Sequence, residues 1–149
     1  MLIDILRATP EHAVKVSEVF DLYRQHYGEL SDVETSESFL RDRIKANEAV
    51  IFFAQDSSGK AVGFALAYPI FCAALFKCDL FLGDFFVCED LRGRGVGRKL
   101  LQAVKEHAIQ INSKGTLLAT ELDNLKAQEL YESLGFKHDT DRRYYYLSL

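Results

Sequence analysis

Apolar residues recur along the chain with two spacings, and each spacing predicts a different kind of element. Short runs dominated by apolar residues predict β-strands. Stretches with apolar residues three or four positions apart predict α-helices. The predicted strands cover residues 2–6, 49–54, 61–68, 80–87, 117–120 and 143–149. The predicted helices cover about 10–27, 36–46, 97–111 and 125–133, and the glycines expected to end helical segments are Gly28, Gly115 and Gly135.

The order of these elements predicts the fold class. Hairpin-like strands come first, and a strand–helix–strand–helix–strand series follows. This order is typical of an α/β fold with a mixed, mostly antiparallel central sheet flanked by helices. Residues 80–87 are apolar at both odd and even positions except at Gly83 and Asp84, which predicts a central strand. A length of 149 residues predicts one domain over 1–149.

Composition and charge exclude several classes of protein. The chain has 18 Lys and Arg residues against 22 Asp and Glu residues, a net charge of −4 that disfavours nucleic-acid binding. No apolar stretch is long enough for a membrane span, and the N-terminus lacks a secretory signal pattern. Three cysteines without CxxC spacing favour reduced thiols in the cytoplasm. The four histidines are widely spaced, so we expect no metal site.

A glycine-rich segment between a predicted strand and a predicted helix carries the strongest functional signal. Gly93, Gly95 and Gly97 alternate there with other residues, and glycine lets the backbone approach a ligand closely. The helix that follows presents the positive end of its dipole. Five basic residues and no acidic residue occur in this region: Arg92, Arg94, Arg98, Lys99 and Lys105. The segment therefore suits a polyanion such as a pyrophosphate.

Three kinds of phosphate-binding loop could explain this segment. A Walker loop is excluded because the GxxxxGK pattern is missing. A dinucleotide loop would need glycine where Arg98 stands, and no acidic residue follows about 20 positions later to bind a ribose. The third is an Arg-x-x-Gly-x-Gly loop, which Arg92, Gly95 and Gly97 match.

With this loop and a second segment, the chain resembles the GNAT superfamily of acyl-CoA-dependent N-acetyltransferases. The second segment is residues 124–136, an asparagine followed by a helix with alanine, tyrosine and a final Gly-Phe. The resemblance covers nearly the whole chain and implies the GNAT fold, acetyl-CoA as co-substrate and a homodimer. The cofactor-binding residues that it implies are Phe86, Val87, Arg92, Gly93, Arg94, Gly95, Val96, Gly97, Arg98, Asn124 and Tyr131.

The resemblance also implies chemical roles. Tyr131 is the candidate general acid that protonates the departing CoA thiolate, although a tyrosine on an apolar helix face is often a core residue. A backbone N–H near Phe86 or Val87 would polarise the thioester carbonyl. Asn124 would contact the cofactor or cap its helix. A covalent acetyl group on Cys88 is disfavoured, because no histidine is placed in the sequence to activate that thiol.

Within the superfamily, residues 81–87 are closest to the diamine acetyltransferases, which act on spermidine, spermine or thialysine. Those enzymes carry Leu-Glu-Asp-Phe-Phe-Val, whereas Gly83 replaces the glutamate here and Asp84 remains. We expect Asp84 to be the general base or to attract a cationic amine, with a structural carboxylate as the alternative. The predicted acceptor-binding residues are Tyr23, Tyr27, Glu29, Tyr68 and Asp84.

The sequence therefore predicts a cytoplasmic N-acetyltransferase that acts on a small primary amine by direct attack in a ternary complex. No nucleic acid, membrane or metal is expected to take part. Two alternatives remain at this point. One is acetylation of a protein N-terminus or lysine, and the other is a non-catalytic module that binds acyl-CoA.

Overall fold

The computed structural model describes residues 2–149. The strands are β1 (Asp4–Arg7), β2 (Val50–Gln55), β3 (Ala61–Cys72), β4 (Lys77–Val87) and β5 (Gly115–Leu118). The helices are α1 (Ala13–His26), α2 (Val33–Lys45), α3 (Val96–Gln110) and α4 (Leu125–Ser133). Single 3₁₀ turns occur at Pro10–His12, Ala73–Leu75 and Glu89–Leu91.

The five strands form one sheet in the order β1-β2-β3-β4-β5. The first three pairings are antiparallel, and β4 pairs with β5 in parallel. A parallel pairing needs a crossover connection, and α3 supplies it between β4 and β5. The predicted fold class, a mixed and mostly antiparallel sheet flanked by helices, is confirmed.

The core lies on both faces of this sheet. On one face, Phe53 and Phe64 are fully buried in a cluster with Phe20 of α1 and Leu40 of α2. Phe52 points to the opposite face, where its ring meets that of His107 on α3 at 5.9 Å. The apolar stripe of α3 is buried, as its spacing predicts. Helices therefore cover the two faces of β2 and β3.

Local hydrogen bonds explain where the first two helices begin. Thr9 and His12 form a reciprocal capping box around Pro10, which agrees with the predicted start of the first helical segment. The Asp32 carboxylate accepts from the amide N–H of Thr35 at 3.0 Å and caps α2. This cap starts α2 at Val33, three residues before the predicted start at Ser36.

The structure corrects the predicted role of Gly115. Gly115 is the first residue of β5 and pairs with Asp79, so it does not cap α3. Asn112 takes the left-handed conformation instead, with φ +54°, and Ser113 donates its N–H to the carbonyl of Ala108 at 2.9 Å. Asparagine tolerates this conformation, so the left-handed residue that ends α3 is Asn112, three positions before the predicted Gly115.

The predicted strand at 143–149 is also wrong. Residues 142–149 have no regular secondary structure, and all of their side chains are exposed. A strand needs a neighbouring strand to satisfy its backbone, and a run of three consecutive tyrosines does not supply one. Consequently the three tyrosines Tyr144, Tyr145 and Tyr146 lie in an exposed C-terminal segment.

Contacts group the chain into two compact units, Met1–Ala119 and Thr120–Leu149. The first contains the sheet with α1, α2 and α3, and the second contains α4. The single domain over 1–149 stays a prediction. Within residues 2–149, no helix combines the length and the apolar character that a membrane crossing requires.

Candidate active site

The glycine loop owes its shape to backbone conformation. Gly93 and Gly95 have φ of +74° and +81°, and Gly95 is the N-cap of α3. A Cβ at either position would meet no atom within 4 Å, so the requirement is conformational and not spatial. Only glycine adopts such values at little cost. The loop therefore brings its amides to the N-terminus of α3, where an anion is favoured. Gly97 follows in the first turn of α3.

Arg92 attaches this loop to the end of β4. Its Nε donates to the carbonyl of Val87 at 2.9 Å, and its guanidinium lies 5.4 Å from the centre of the Phe86 ring. The other guanidinium N–H groups of this exposed residue leave capacity for a phosphate. Arg94 is exposed in the loop, and Arg98 lines a cleft of about 570 Å³ between α3 and strands β1 and β2.

The sheet opens beside the loop. In the described chain, β5 pairs with β4 only from Asp79 to Leu82, whereas β4 continues to Val87. The Cys88 N–H donates to the carbonyl of Val62 at 2.9 Å. Along an antiparallel ladder, residue pairs that exchange hydrogen bonds alternate with pairs that do not. The N–H of Phe86 therefore points to β3, as that of Cys88 does, and the N–H of Val87 between them points to the open edge of β4. Of the two predicted carbonyl-polarising amides, this geometry favours that of Val87.

A β-bulge at Gly83 sets the direction of Asp84. Leu66 and Ala67 are adjacent on β3, but their partners on β4 are Asp84 and Leu82, so Gly83 is the extra residue. Leu82 and Asp84 therefore point to opposite faces, although an unbulged strand would place both on one face. The bulge turns the Asp84 carboxylate towards the face that α1 covers.

Two phenols hold the Asp84 carboxylate. The hydroxyl of Tyr23 on α1 donates to Oδ1 at 2.7 Å, and the hydroxyl of Tyr68 on β3 donates to Oδ2 at 3.3 Å. The structure thus brings together three of the predicted acceptor-site residues, which are 61 and 16 positions apart in the chain. Asp84 is neither fully buried nor fully exposed.

Both phenols stay protonated at neutral pH. Burial raises the pKa of Tyr23 far above its ordinary value, and the hydrogen bond to Asp84 adds to the shift. Burial, with the negative charge of Asp84, raises the pKa of Tyr68 to about 12. A protonated phenol is a hydrogen-bond donor, so both tyrosines can donate to the Asp84 carboxylate at neutral pH.

Aromatic rings pack around the ring of Tyr23, whose hydroxyl bonds to this carboxylate. The Tyr23 ring meets the rings of Phe64, Phe86 and Tyr27 at 5.4, 6.1 and 5.0 Å. His26 extends the group, with its ring 5.3 Å from Tyr27 and 6.1 Å from Phe86. Aromatic faces next to a carboxylate attract an ammonium group.

Tyr27 and Glu29, the other two predicted acceptor-site residues, are exposed. Tyr27 joins the aromatic group through Tyr23, whereas Glu29 lies in the loop after α1 with its N–H donating to the carbonyl of Arg24. Cys88 is partly buried, and burial raises the pKa of its thiol. That shift disfavours the thiolate and agrees with the prediction against a covalent role.

Sequence reasoning missed Asp21, which fixes the loop between α1 and α2. Asp21 is 2% exposed, and its carboxylate accepts from Ser31 Oγ and the Asp32 N–H, both at 2.7 Å, and from Gln25 Nε2 at 2.8 Å. Burial alone would raise the pKa of Asp21, but these hydrogen bonds outweigh it and hold the pKa below its ordinary value. A lone aspartate on a helix gives no sequence signal for this role.

The second unit holds the remaining predicted residues. Asn124 Oδ1 accepts from the Ala127 N–H at 3.3 Å, so Asn124 caps α4. Tyr131 is buried and its ring lies 5.9 Å from Phe136. Gly135, with φ +96°, ends the helix, and the Phe136 N–H donates to the Tyr131 carbonyl at 3.1 Å. The Gly-Phe pair thus forms the helix stop that holds Phe136 against Tyr131.

Among the described residues, no three His, Cys, Asp or Glu side chains form a group that could hold a metal ion. The groups gathered in the first unit are a carboxylate, phenols, backbone amides and a glycine-rich loop at a helix N-terminus.

Comparisons with known proteins agree with this chemistry. The model of the acetyltransferase (GNAT) family matches residues 16–136. The chain is 36% identical over 146 residues to the uncharacterized N-acetyltransferase YhfO of Bacillus subtilis, covering 98% of this chain and 97% of that protein. A crystal structure of a probable acetyltransferase has a TM-score of 0.91 at 35% identity, covering 98% of this chain and 97% of that one.

A more distant relative bears on the resemblance to diamine acetyltransferases. The thialysine N-epsilon-acetyltransferase of Sus scrofa is 32% identical over 80 residues, which cover 54% of this chain and 46% of that protein.

The family match, the similarity over nearly the full length and the fold lead to one conclusion: the chain belongs to the GNAT family of acetyltransferases, enzymes that use acetyl-CoA.

Proposed function

We propose that the chain acetylates the primary amine of a small molecule by direct attack of the amine on acetyl-CoA in a ternary complex. The observation that carries this proposal is the Asp84 carboxylate. It lies at a bulge beside the open edge of β4 and is held by the hydroxyls of Tyr23 and Tyr68. A carboxylate that two hydrogen bonds hold in position suits an ammonium ligand.

The acceptor arrives as a cation, because an alkylamine has a pKa of about 10.4. Asp84 binds the ammonium through the lone pairs that the two phenols leave available. The same carboxylate takes the proton from the amine, directly or through a water molecule, and frees the nitrogen lone pair. Tyr23 and Tyr68 hold the carboxylate in position for this step, because both remain hydrogen-bond donors at neutral pH.

The nitrogen then forms a bond to the thioester carbon, and the carbon–sulfur bond breaks. The extra proton on the nitrogen passes to solvent, and Asp84 releases its own proton to solvent to complete the cycle. The Val87 N–H, which points to the open edge of β4, polarises the carbonyl as charge develops on its oxygen. The amides of the loop at Gly93 and Gly95 bind the pyrophosphate of acetyl-CoA at the start of α3.

Tyr131 donates a proton to the CoA thiolate and recovers it from solvent. This role rests on the second signature, residues 124–136, in which Tyr131 stands at the matching position. A phenol, with an ordinary pKa of about 10, is protonated at neutral pH and can share its proton with the sulfur as negative charge develops there.

We infer the class of acceptor from the charge of Asp84 and from the aromatic residues near it. A carboxylate with aromatic neighbours suits a primary amine, and the relative from Sus scrofa is named for an amino group at a side-chain end. Composition and resemblance further support a cytoplasmic homodimer.

Release of the CoA thiol from acetyl-CoA tests the proposal. The wild-type protein is mixed with alkylamines, diamines, lysine analogues, amino acids, aminoglycosides and peptides, and the acetylated products are identified by mass spectrometry. We expect release with small primary amines. Release with peptides alone would assign the chain to protein acetylation, and CoA binding without release by any amine would contradict the proposal.

A further inference from the structure

Gly83 lies directly against the ring of Tyr68. A Cβ built at Gly83 would be 2.8 Å from Cε2 and 3.1 Å from Cδ2 of that ring. Real Cβ atoms are not found at 2.8 Å from a neighbour, so any other residue at position 83 displaces Tyr68. The Tyr68 ring occupies the space that a side chain at position 83 would need.

The backbone does not explain this glycine. Gly83 is not among the glycines with positive φ, unlike Gly93 and Gly95 in the loop. An alanine could adopt the backbone conformation of Gly83 but could not share its space with the ring. Gly83 and Tyr68 therefore form a matched pair, in which the absent side chain of one makes room for the other.

The position of the ring matters because it adjoins the carboxylate. Tyr68 projects from the same face of β3 as Leu66, whose partner on β4 is Asp84, and its hydroxyl reaches Oδ2. The hydroxyl of Tyr23 reaches the other oxygen, Oδ1. Each carboxylate oxygen thus accepts from one phenol, so an ammonium group that binds Asp84 shares the carboxylate with both tyrosines.

We propose that Tyr68, placed by Gly83, is a specificity-determining residue that selects amines carried on an unbranched carbon. This inference rests on the proposed function, in which Asp84 receives the acceptor ammonium. In this inference a CH₂–NH₃⁺ end reaches the carboxylate beside the two phenols. A second carbon on the same atom would meet the Tyr68 ring, for which Gly83 leaves room.

Two isomeric amines measure this effect without a change of charge or of atom number. n-Butylamine carries its amino group on an unbranched carbon, and sec-butylamine carries it on a branched one. One methyl group in a closely packed site is worth about 10- to 200-fold in kcat/KM. We expect the wild-type protein to prefer n-butylamine by at least about tenfold.

Variants at Tyr68 separate the ring from its hydroxyl. Tyr68→Phe keeps the ring, so it should retain the preference while lowering kcat/KM for both amines. Tyr68→Leu removes the ring, so the preference should fall to about threefold or less. Tyr145→Phe, in the exposed C-terminal segment, is the matched control and should change neither quantity.

Thermal unfolding tests the pair independently of activity. Gly83→Ala should lower the melting temperature, and Gly115→Ala is its control in the same sheet, where a Cβ would meet only Asp79 Oδ1 at 3.5 Å. In the double variant Gly83→Ala/Tyr68→Leu the clash is gone, so the melting temperature should equal that of Tyr68→Leu alone. Additive losses would contradict the pairing of Gly83 with Tyr68.

The outcomes distinguish this inference from the function on which it rests. If the wild-type protein acetylates amines and Tyr68→Leu keeps the wild-type preference, the specificity role of Tyr68 is wrong and the proposed function stands. If the wild-type protein acetylates no amine, the proposed function is wrong and the specificity role falls with it, while the melting data still report on the packing of Gly83.

Discussion

The hydroxyl of Tyr23 donates a 2.7 Å hydrogen bond to Oδ1 of Asp84 and so links α1 to β4 across 61 positions of sequence. Burial keeps this phenol protonated at neutral pH, so the bond persists there. Tyr23→Phe removes the donor and leaves the ring among Phe64, Phe86 and Tyr27. A hydrogen bond to a charged group is worth about 1.5–3 kcal/mol.

We therefore expect Tyr23→Phe to lower kcat/KM for the amine by roughly tenfold or more, since 1.4 kcal/mol corresponds to a factor of about ten. Steady-state assays of thiol release measure the effect, with Tyr144→Phe as an exposed control. Wild-type kcat/KM in Tyr23→Phe would show that this hydrogen bond does not assist the acceptor site.

The glycine loop makes a prediction about acetyl-CoA binding. Gly95 has φ +81° at the N-cap of α3, and a β-branched residue there must distort the loop. We expect Gly95→Val to abolish measurable acetyl-CoA binding in titration calorimetry. Gly59→Val carries a similar strain at φ +85° in a surface turn and should bind acetyl-CoA normally. Tight binding by Gly95→Val would contradict the assignment of the loop.

Tyr131 makes a prediction about turnover. Tyr131→Phe removes the proposed proton donor and keeps the ring packed on Phe136. We expect kcat to fall by about tenfold or more, because general acids contribute about 10²- to 10⁴-fold, while acetyl-CoA binding stays nearly intact. Tyr146→Phe is the exposed control. Unchanged turnover would remove Tyr131 from the role of acid.

Asp21 makes a prediction about stability and pH. Its pKa is held below the ordinary value of 3.8, so its contribution is fully present above about pH 3.8 and is lost as the pH falls through the lowered folded value. We expect Asp21→Asn to reduce the free energy of unfolding by roughly 2 kcal/mol at pH 7. The difference from the wild-type protein should shrink below pH 3.8.

Urea unfolding from pH 7 to pH 3 measures this difference. Asp42→Asn, at an exposed position of α2, serves as the control and should match the wild-type protein throughout. A loss in Asp21→Asn that stays constant down to pH 3 would show that the charge of Asp21 is not what stabilises the α1–α2 loop.

Much of the fold could be predicted because its signals are local. The spacing of apolar residues located α3 and α4, and the run at 80–87, apolar except at Gly83 and Asp84, identified the central strand. Two of the errors have local causes as well. Asn112 ended α3 where glycine was expected, and Asp32 started α2 early through a cap that depends on its rotamer. The run at 143–149 lacks a neighbouring strand, which no local pattern reveals.

The candidate site was only partly predictable. Asp84 stood out as an acid in an apolar strand, and Tyr23 and Tyr68 were named as acceptor residues, but nothing in the sequence indicated that both phenols bind one carboxylate. That geometry depends on the bulge at Gly83, which changes the face of Asp84. Gly83 itself signalled a departure from the diamine pattern, and its contact with Tyr68 required the structure.

The central claim is that Asp84 receives and deprotonates the acceptor amine. Its most direct test is kcat/KM for thiol release with n-butylamine in Asp84→Asn, alongside Asp42→Asn and an acetyl-CoA titration. The account predicts a loss of about 100-fold or more in Asp84→Asn, with normal acetyl-CoA affinity and normal activity in Asp42→Asn. Wild-type kcat/KM in a folded Asp84→Asn protein would contradict it.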